Sequence, residues 1–285
     1  MEEVKGILIP IGGNEDKGID DKGDFDFITE GILSHILKEA GGIHANILII
    51  PTASGIPDEV ADNYMKAFNM LSCDCVSVLD IRNEIQCNSP AFLKKLKAAD
   101  GVLFSGGDQS KIVDIIGGTL FHDLLLSRFI NETFVIAGTS AGAMAMVTEM
   151  IMGGSSEESM VKGAVKMREG LHLINDLIID THFIRRGRFG RLSEAIARFP
   201  DKIGIGLAED TGIIIKNRNE FKVIGSGMVI LLDPNNLTHN NHPLLKEGTP
   251  MSISNLTTHI LANGDRFRLS DRSVSVLPIE EPFDQ

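Results

Sequence analysis

The sequence predicts a doubly wound α/β fold, with a mostly parallel sheet flanked by helices and an antiparallel C-terminal extension. Short apolar runs without alternation are typical of strands buried on both faces. They cover Ile7–Ile11, Ile47–Ile50, Gly101–Phe104 and 134–137. The segments between them have apolar residues at three-to-four spacing, which predicts covering helices over 27–40, 61–71 and 112–129. Glycine or small residues follow each run, and ligands bind at such carboxyl ends of strands in open α/β sheets.

The pattern changes after about residue 175, where short apolar runs follow one another closely. These runs cover 177–180, 203–208, 212–216, 221–224 and 229–232, with a hairpin loop predicted over 217–220. This part predicts the antiparallel extension of the sheet. No linker composition divides the chain, so we expect one α/β domain over residues 1–272 and an acidic, proline-containing C-terminal arm over 273–285.

Composition limits the classes of function. The formal net charge of −12 argues against general nucleic-acid binding, which needs a basic face. No apolar run reaches the roughly twenty residues of a membrane span, and the acidic N-terminus lacks signal-peptide features. Cys73, Cys75 and Cys87 do not have the spacing of a metal site, so we expect buried free thiols, a reducing compartment and a cytoplasmic location.

The motif Gly-Thr-Ser-Ala-Gly over residues 138–142 lies between a predicted strand and a helix-like segment. In this context G-x-S-x-G is typical of a nucleophile elbow, which presents a serine hydroxyl at the edge of the sheet. Ser140 is therefore the candidate nucleophile. The backbone amides of Ala141 and Gly107 are candidate oxyanion donors, since Gly107 follows a neighbouring core strand.

A serine nucleophile needs a base, and the base needs an orienting carboxylate. Of eight histidines, His182 follows a core strand at the expected edge of the sheet. Two carboxylates are candidates for the third position: Glu209, at the end of another core strand, and Glu158, in the loop between the elbow and the histidine strand. Strand-end placement is more rigid, so Glu209 is preferred and Glu158 stays the alternative. The order Ser-His-Glu differs from that of α/β-hydrolases.

Four arginines lie within residues 185–191, directly after His182. Guanidinium groups bind carboxylates in bidentate geometry, so this cluster in an acidic chain favours an acidic substrate. Arg188 and Arg191 would share one face of a helix over 187–199. The same arginines could instead pair with the chain's own surplus of acidic side chains.

Five segments together resemble the signature motifs of the cyanophycinase family, which is related to aspartyl dipeptidase E. They cover residues 11–17, 104–109, 138–143, 180–183 and 209–211. The resemblance spans residues 5 to 270 and implies a class-I glutamine-amidotransferase-like fold, a Ser140-His182-Glu209 triad, and a homodimer without metal or cofactor. It also implies a substrate pocket formed by Gln109, Asp180, Thr181, Arg186, Arg188 and Arg191. Thr181 stands where the family pattern has glutamine.

The implied substrate is cyanophycin, a polyaspartate with arginine on its side-chain carboxyls, and the implied product is β-aspartyl-arginine. One alternative is an exopeptidase similar to aspartyl dipeptidase E, acting on short aspartyl peptides. An amidotransferase would need a cysteine nucleophile, and none of the three cysteines lies at an elbow. A non-enzymatic alternative is an acidic-peptide-binding protein on an inactive hydrolase scaffold.

Overall fold

The computed structural model describes residues 4–18, 26–154 and 160–277. Its helices are α1 (Ile32–Ala40), α2 (Pro57–Met70), α3 (Glu84–Cys87), α4 (Pro90–Ala98), α5 (Gln109–Ile116), α6 (Leu120–Asn131), α7 (Ala141–Met144) and α8 (Phe189–Arg198), with 3-10 turns at Pro234–Asn236 and His242–Leu244. Its strands are β1 (Ile7–Ile11), β2 (Ile47–Ile50), β3 (Val76–Val78), β4 (Gly101–Phe104), β5 (Val135–Thr139), β6 (Glu149–Gly154), β7 (Val165–Glu169), β8 (Leu177–Asp180), β9 (Ile203–Leu207), β10 (Thr211–Lys216), β11 (Glu220–Gly225), β12 (Val229–Asp233), β13 (His239–Asn240), β14 (Ile253–Ser254), β15 (Thr257–Leu261), β16 (Arg266–Arg268) and β17 (Ser273–Ser275).

The main sheet has nine strands in the order β17-β16-β11-β10-β1-β5-β4-β2-β3. In the part of this sheet that runs β1-β5-β4-β2-β3, all neighbouring strands are parallel. Val135 of the central strand β5, for example, lies between Ile7 of β1 and Gly101 of β4. Successive residues of these strands alternate between two buried clusters. Residues 8, 48, 102 and 136 belong to one cluster, and residues 9, 49, 103 and 137 to the other. Both faces are therefore covered, which confirms the predicted doubly wound fold.

The helices agree with the predicted periodic segments except over 112–129, where two helices replace one. Helix α5 ends at Ile116 and α6 begins at Leu120. The hydroxyl of Thr119 accepts a hydrogen bond from the amide of His122 and so caps the start of α6. A capping side chain of this kind satisfies an amide that has no partner within the helix, which stabilises a new helix start inside an apolar pattern.

The antiparallel half confirms the predicted extension: β10 pairs with β1, and β11, β16 and β17 follow in antiparallel order. Part of the C-terminal arm expected over 273–285 lies within the described residues. Its first residues form the edge strand β17, in which Val274 lies opposite Phe267 and packs against the core. The described part of this segment therefore belongs to the sheet because it covers apolar surface. Residues 278–285 lie outside the described residues.

A second sheet, which the sequence pattern did not separate from the first, contains the strands that lead to two candidate site residues. Its order is β15-β12-β9-β8, and β8 and β9 are parallel. Helix α8 packs on it through buried apolar residues such as Leu192 and Ile196. After β8, the amide of His182 donates to the carbonyl of Gly12, just past the end of β1, and after β9, the amide of Asp210 donates to the carbonyl of Gly13. The two sheets thus meet at the edge that carries the elbow.

Cys73 and Cys87 are buried free thiols, as expected, whereas the free thiol of Cys75 is exposed. Cys75 lies just before β3, where its side chain faces Asp74. None of the helices within the described ranges is long and apolar enough to cross a bilayer.

We predict that Phe267→Ala destabilises the whole domain. Phe267 is fully buried on β16, and its ring stacks on Phe221 with centroids 5.6 Å apart. Loss of such a ring leaves a cavity and should reduce the free energy of unfolding by about 3–5 kcal/mol. Chemical denaturation measures this loss. The matched control Ile260→Ala removes a side chain that is 67% exposed and should change stability by less than about 0.5 kcal/mol.

Candidate active site

Ser140 occupies a sharp turn between β5 and α7. Its backbone lies at φ 52° and ψ −109°, a conformation that costs a non-glycine residue free energy and is typical of nucleophile elbows. The flanking glycines are required by close approach: an added Cβ at Gly138 would lie 2.5 Å from the carbonyl carbon of Gly142, and one at Gly142 would lie 2.4 Å from the Phe104 oxygen. The turn therefore has the form that the G-x-S-x-G motif predicts.

The side chains of Ser140, His182 and Glu209 form a continuous hydrogen-bonded line. With the proton of the neutral ring on Nδ1, the hydroxyl of Ser140 donates to Nε2 of His182 at 3.0 Å. Nδ1–H then donates to Oε1 of Glu209 at 2.7 Å. This is the geometry in which an imidazole can accept a serine proton while a carboxylate stabilises the imidazolium that results. The structure brings together the three residues that the sequence selected as a triad.

One turn at the end of β1 holds these three residues together, although they come from two sheets. We call residues 11–15 the first turn. The carbonyl of Ile11 accepts the amide of Ser140 at 2.9 Å, and the carbonyl of Gly12 accepts the amide of His182 at 2.8 Å. The carbonyl of Gly13 accepts the amide of Asp210, next to Glu209, at 2.9 Å. Successive carbonyls of one turn thus fix the backbone at each candidate residue.

Burial of His182 and the arginines beside it favour the neutral imidazole that a general base requires. Burial lowers the pKa of His182 below its ordinary value, the hydrogen bond to Glu209 opposes that shift, and the positive charges of Arg186 and Arg188 add to it. For Glu209, burial by itself raises the pKa, but hydrogen bonds from Arg185 and His182 outweigh burial and hold the pKa below its ordinary value. The pair is therefore a neutral ring beside an ionised carboxylate at neutral pH.

Two further contacts to Glu209 were missed by the sequence analysis. Nη1 of Arg185 donates to Oε2 of Glu209 at 2.8 Å, and the side-chain amide of Asn14 donates to the same oxygen at 3.4 Å. The arginine cluster already pointed to this region, but not to Arg185 in particular. No local pattern in the sequence relates Asn14 to a carboxylate 195 residues away.

The amides proposed as oxyanion donors flank the serine. An added Cβ at Gly106 would lie 3.4 Å from Cβ of Ser140, so the Gly106-Gly107 segment is adjacent to the elbow. Within the described part of the chain, neither the amide of Gly107 nor that of Ala141 donates to a backbone or side-chain oxygen. Unpaired amides next to a nucleophile are suited to binding a developing oxyanion.

The predicted substrate residues fall into two groups. Asp180 is fully buried, and both Arg191 and Arg188 bind it: Nε of Arg191 lies 2.8 Å from Oδ2 and Nη1 of Arg188 lies 2.9 Å from Oδ1. Thr181 is buried as well, with its hydroxyl 3.4 Å from the sulfur of Met144. Asp180, Thr181 and Arg191 are thus buried and Arg188 is half-buried, whereas Arg186 is exposed. Three of the four clustered arginines, Arg185, Arg188 and Arg191, therefore pair with the chain's own acids.

Gln109 is placed at the start of α5, where its side-chain amide donates to the carbonyls of Ile151 and Met152, both at 2.9 Å. It connects α5 to β6 in this structure, and a role in substrate binding stays a prediction. Glu158, the alternative third member, lies outside the described residues. Among the residues that the structure describes, no group of three or more His, Cys, Asp or Glu side chains is placed to hold a metal ion.

Comparison with known proteins identifies relatives of this chain. The profile of peptidase family S51 matches residues 25–223. A cyanophycinase of Trichormus variabilis is 37% identical over 273 residues, which cover 96% of this chain and 89% of the relative. A cyanophycinase of Geminocystis herdmanii is 33% identical over 264 residues, which cover 93% of this chain and 94% of the relative.

Two solved structures have a similar fold. A peptidase from an acI-B1 Actinobacterium superposes with a TM-score of 0.66 at 18% identity, over 94% of this chain and 98% of the other. A putative peptidase E protein from Listeria monocytogenes gives a TM-score of 0.52, also at 18% identity, over 78% of this chain and 99% of the other. At this level of identity the likeness shows the α/β fold.

We predict that Gly13→Ala disables the site without preventing folding. Gly13 has φ 99°, and an added Cβ would lie 2.5 Å from both Cε1 and Nε2 of the His182 ring. The ring must move by roughly 1 Å, and a misplacement of that size can cost about 100-fold in reactivity. The measurement is the rate at which a fluorophosphonate labels Ser140. Gly55→Ala is the control, since a Cβ there meets nothing within 4 Å; equal labelling of both variants would contradict the prediction.

Proposed function

The chain belongs to peptidase family S51, and on that premise we propose that it hydrolyses aspartyl peptide bonds through Ser140, His182 and Glu209. The observation that carries the proposal is the hydrogen-bonded line from the serine hydroxyl through the imidazole to the carboxylate, at 3.0 and 2.7 Å. The lowered pKa of His182 supports it, because the ring is then unprotonated and able to act as a base at neutral pH.

The proposed reaction is acyl transfer in two steps. Oγ of Ser140 forms a bond to the substrate carbonyl carbon while Nε2 of His182 takes the hydroxyl proton. The amides of Gly107 and Ala141 donate to the carbonyl oxygen as it becomes negatively charged. The carbon–nitrogen bond breaks as His182 returns the proton to the leaving amine. In the second step the same ring takes a proton from water as the water oxygen bonds to the acyl carbon, and the bond to Oγ of Ser140 breaks as the ring returns the proton to Oγ.

The proposed substrate is cyanophycin, cleaved to β-aspartyl-arginine, because both relatives described above are named cyanophycinase and are 37% and 33% identical to this chain. The exposed guanidinium of Arg186 and the side chain of Gln109 are proposed to hold carboxylates and amides of the aspartyl unit. Arg188, Arg191, Asp180 and Thr181 are proposed to shape the pocket from behind, since three of these four are buried and the fourth is half-buried.

Two further proposals concern the setting of the enzyme. A cytoplasmic location is supported by the cysteine usage, including the exposed free thiol of Cys75, because exposed thiols persist in reducing compartments. Assembly as a homodimer is supported by the family resemblance alone.

We predict that Ser140→Ala abolishes hydrolysis of cyanophycin. Removal of the nucleophile of a triad costs roughly 10⁴- to 10⁶-fold in kcat. Product analysis by mass spectrometry after incubation with the polymer, and with an Asp-X dipeptide in parallel, measures the loss. Ser270→Ala, at an exposed serine, is the control. Hydrolysis of both substrates by Ser140→Ala would remove the nucleophile assignment, and wild-type turnover of the dipeptide alone would favour an exopeptidase.

We also predict that Arg186→Gln moves the acid limb of the pH profile to higher pH. Activity is lost as pH falls through the pKa of His182, because the protonated ring cannot accept the serine proton. The positive charge of Arg186 lowers that pKa, so its removal raises the pKa and inactivation begins at higher pH. The pH dependence of kcat/KM measures the change. Arg168→Gln, at an arginine paired with Asp114, is the control, and an unshifted limb in Arg186→Gln would contradict the prediction.

A further inference from the structure

Glu15 is a buried carboxylate beside the elbow that takes no part in the proposed acyl transfer. Its side chain is 1% exposed. Oε2 accepts a hydrogen bond from the hydroxyl of Thr139 at 2.6 Å, and Oε1 accepts one from the hydroxyl of Tyr64. Nζ of Lys17 lies 3.4 Å from Oε1. Both carboxylate oxygens therefore have partners inside the protein.

The surroundings of Glu15 keep it charged. Burial by itself raises the pKa of Glu15, but Lys17 and the hydrogen bonds from Thr139 and Tyr64 outweigh burial and leave the pKa below its ordinary value. Lys17 also lies over the ring of Tyr64, 4.9 Å from its centroid. A buried charge is costly unless its partners are well placed, so this arrangement keeps an anion at a defined position.

Thr139 connects this anion to the serine. It is the last residue of β5, lies opposite Ile11 in the sheet and directly precedes Ser140. The amide of Ser140 donates to the carbonyl of Ile11, and the hydroxyl of Thr139 donates to Glu15. The two ends of the first turn, Ile11 and Glu15, therefore each make a hydrogen bond to the elbow. Because the backbone of Ser140 is strained, it keeps its conformation only while its neighbours hold it.

We propose that Glu15 is a positioning residue that holds Thr139, and through it the hydroxyl of Ser140, in line with Nε2 of His182. Tyr64 and Lys17 complete the assembly by fixing the other carboxylate oxygen. This inference rests on the proposed function, because the hydroxyl of Ser140 has to be aligned with His182 only if Ser140 is the nucleophile. Glu15 is enclosed and does not contact substrate, so its loss should lower kcat and leave KM close to the wild-type value.

The decisive variants remove one partner of the bond between Glu15 and Thr139. Thr139→Val has nearly the same shape but no hydroxyl, and Thr139→Ser restores the hydroxyl. We expect Thr139→Val to lower kcat and the rate of fluorophosphonate labelling by about tenfold or more, and Thr139→Ser to restore much of both; tenfold corresponds to about 1.4 kcal/mol in the barrier. Glu15→Gln should also lower kcat and the labelling rate. A side-chain amide has one accepting oxygen, so it cannot accept from Thr139 on one side and Tyr64 on the other.

A matched control separates positioning from stability. Asp265 is also a buried carboxylate, and it accepts the amides of Ala262 and Leu277 at 2.8 and 3.0 Å in the antiparallel half of the sheet. Asp265→Asn should lower the unfolding temperature but keep the wild-type kcat. If Asp265→Asn reduced kcat as much as Thr139→Val at equal loss of stability, the effect of Thr139 would be one of stability and the proposal would be wrong.

Tyr64 provides a spectroscopic test of the same assembly, because the chain contains one tyrosine and no tryptophan. Burial, the charge of Glu15 and the hydrogen bond to Glu15 together raise the pKa of Tyr64 well above its ordinary value. In Glu15→Gln the charge is absent, so the phenol should ionise at lower pH than in the wild-type protein. The near-ultraviolet absorbance of the phenolate measures this shift, and an unchanged titration would argue against the assembly.

The outcomes distinguish the inference from the function on which it rests. Polymer hydrolysis that survives in Ser140→Ala would overturn the proposed function, and the inference with it. An inactive Ser140→Ala combined with a folded Thr139→Val of wild-type kcat and labelling rate would overturn the inference alone. Thr139→Val has nearly the same shape as the wild-type side chain and is therefore expected to fold. It tests the positioning role even if Glu15→Gln does not fold.

Discussion

The carbonyl oxygens of Ile11, Gly12 and Gly13 each accept one backbone amide, and the rest of the site depends on these three hydrogen bonds. The amides belong to Ser140, to His182 and to Asp210, and they come from two different sheets. A hydrogen bond fixes its donor to within a few tenths of an ångström, so a single turn sets the position of β5 in one sheet relative to β8 and β9 in the other. The hydroxyl, the ring and the carboxylate align because their backbones share this support.

The second constraint on the site is that its buried carboxylates are paired with cationic side chains. Burial of an ion pair is not by itself stabilising, because both charges lose their hydration. Asp180, the last residue of the strand that leads to His182, is enclosed with two guanidinium groups, and Glu15 is enclosed with Lys17 next to the elbow. The acidic chain thus uses several of its cations to hold its own carboxylates, whereas Arg186 faces solvent.

Much of the fold was predictable because burial on both faces produces a local signal. Apolar runs such as Ile47–Ile50 have no alternation, since each residue contacts one of two cores, and this distinguishes parallel central strands without knowledge of their partners. The division into two sheets was not predictable, because an apolar run does not specify which strand it pairs with. The same limit applies to β17, whose place at the sheet edge depends on the contact between Val274 and Phe267.

By itself, the sequence determined the type and approximate position of the candidate triad: G-x-S-x-G requires small residues at fixed spacing, and His182 and Glu209 each follow a core strand. These are local features, because a strained turn and a strand end are properties of a few adjacent residues. Only the tertiary structure decided that Arg188 and Arg191 bind Asp180 and that Glu15 binds Thr139. Glu15 and Thr139 lie 124 residues apart in the chain, and the arginines lie 8 and 11 residues after Asp180. In each case the contact depends on where the backbone places the two side chains, which residue types and spacing do not encode.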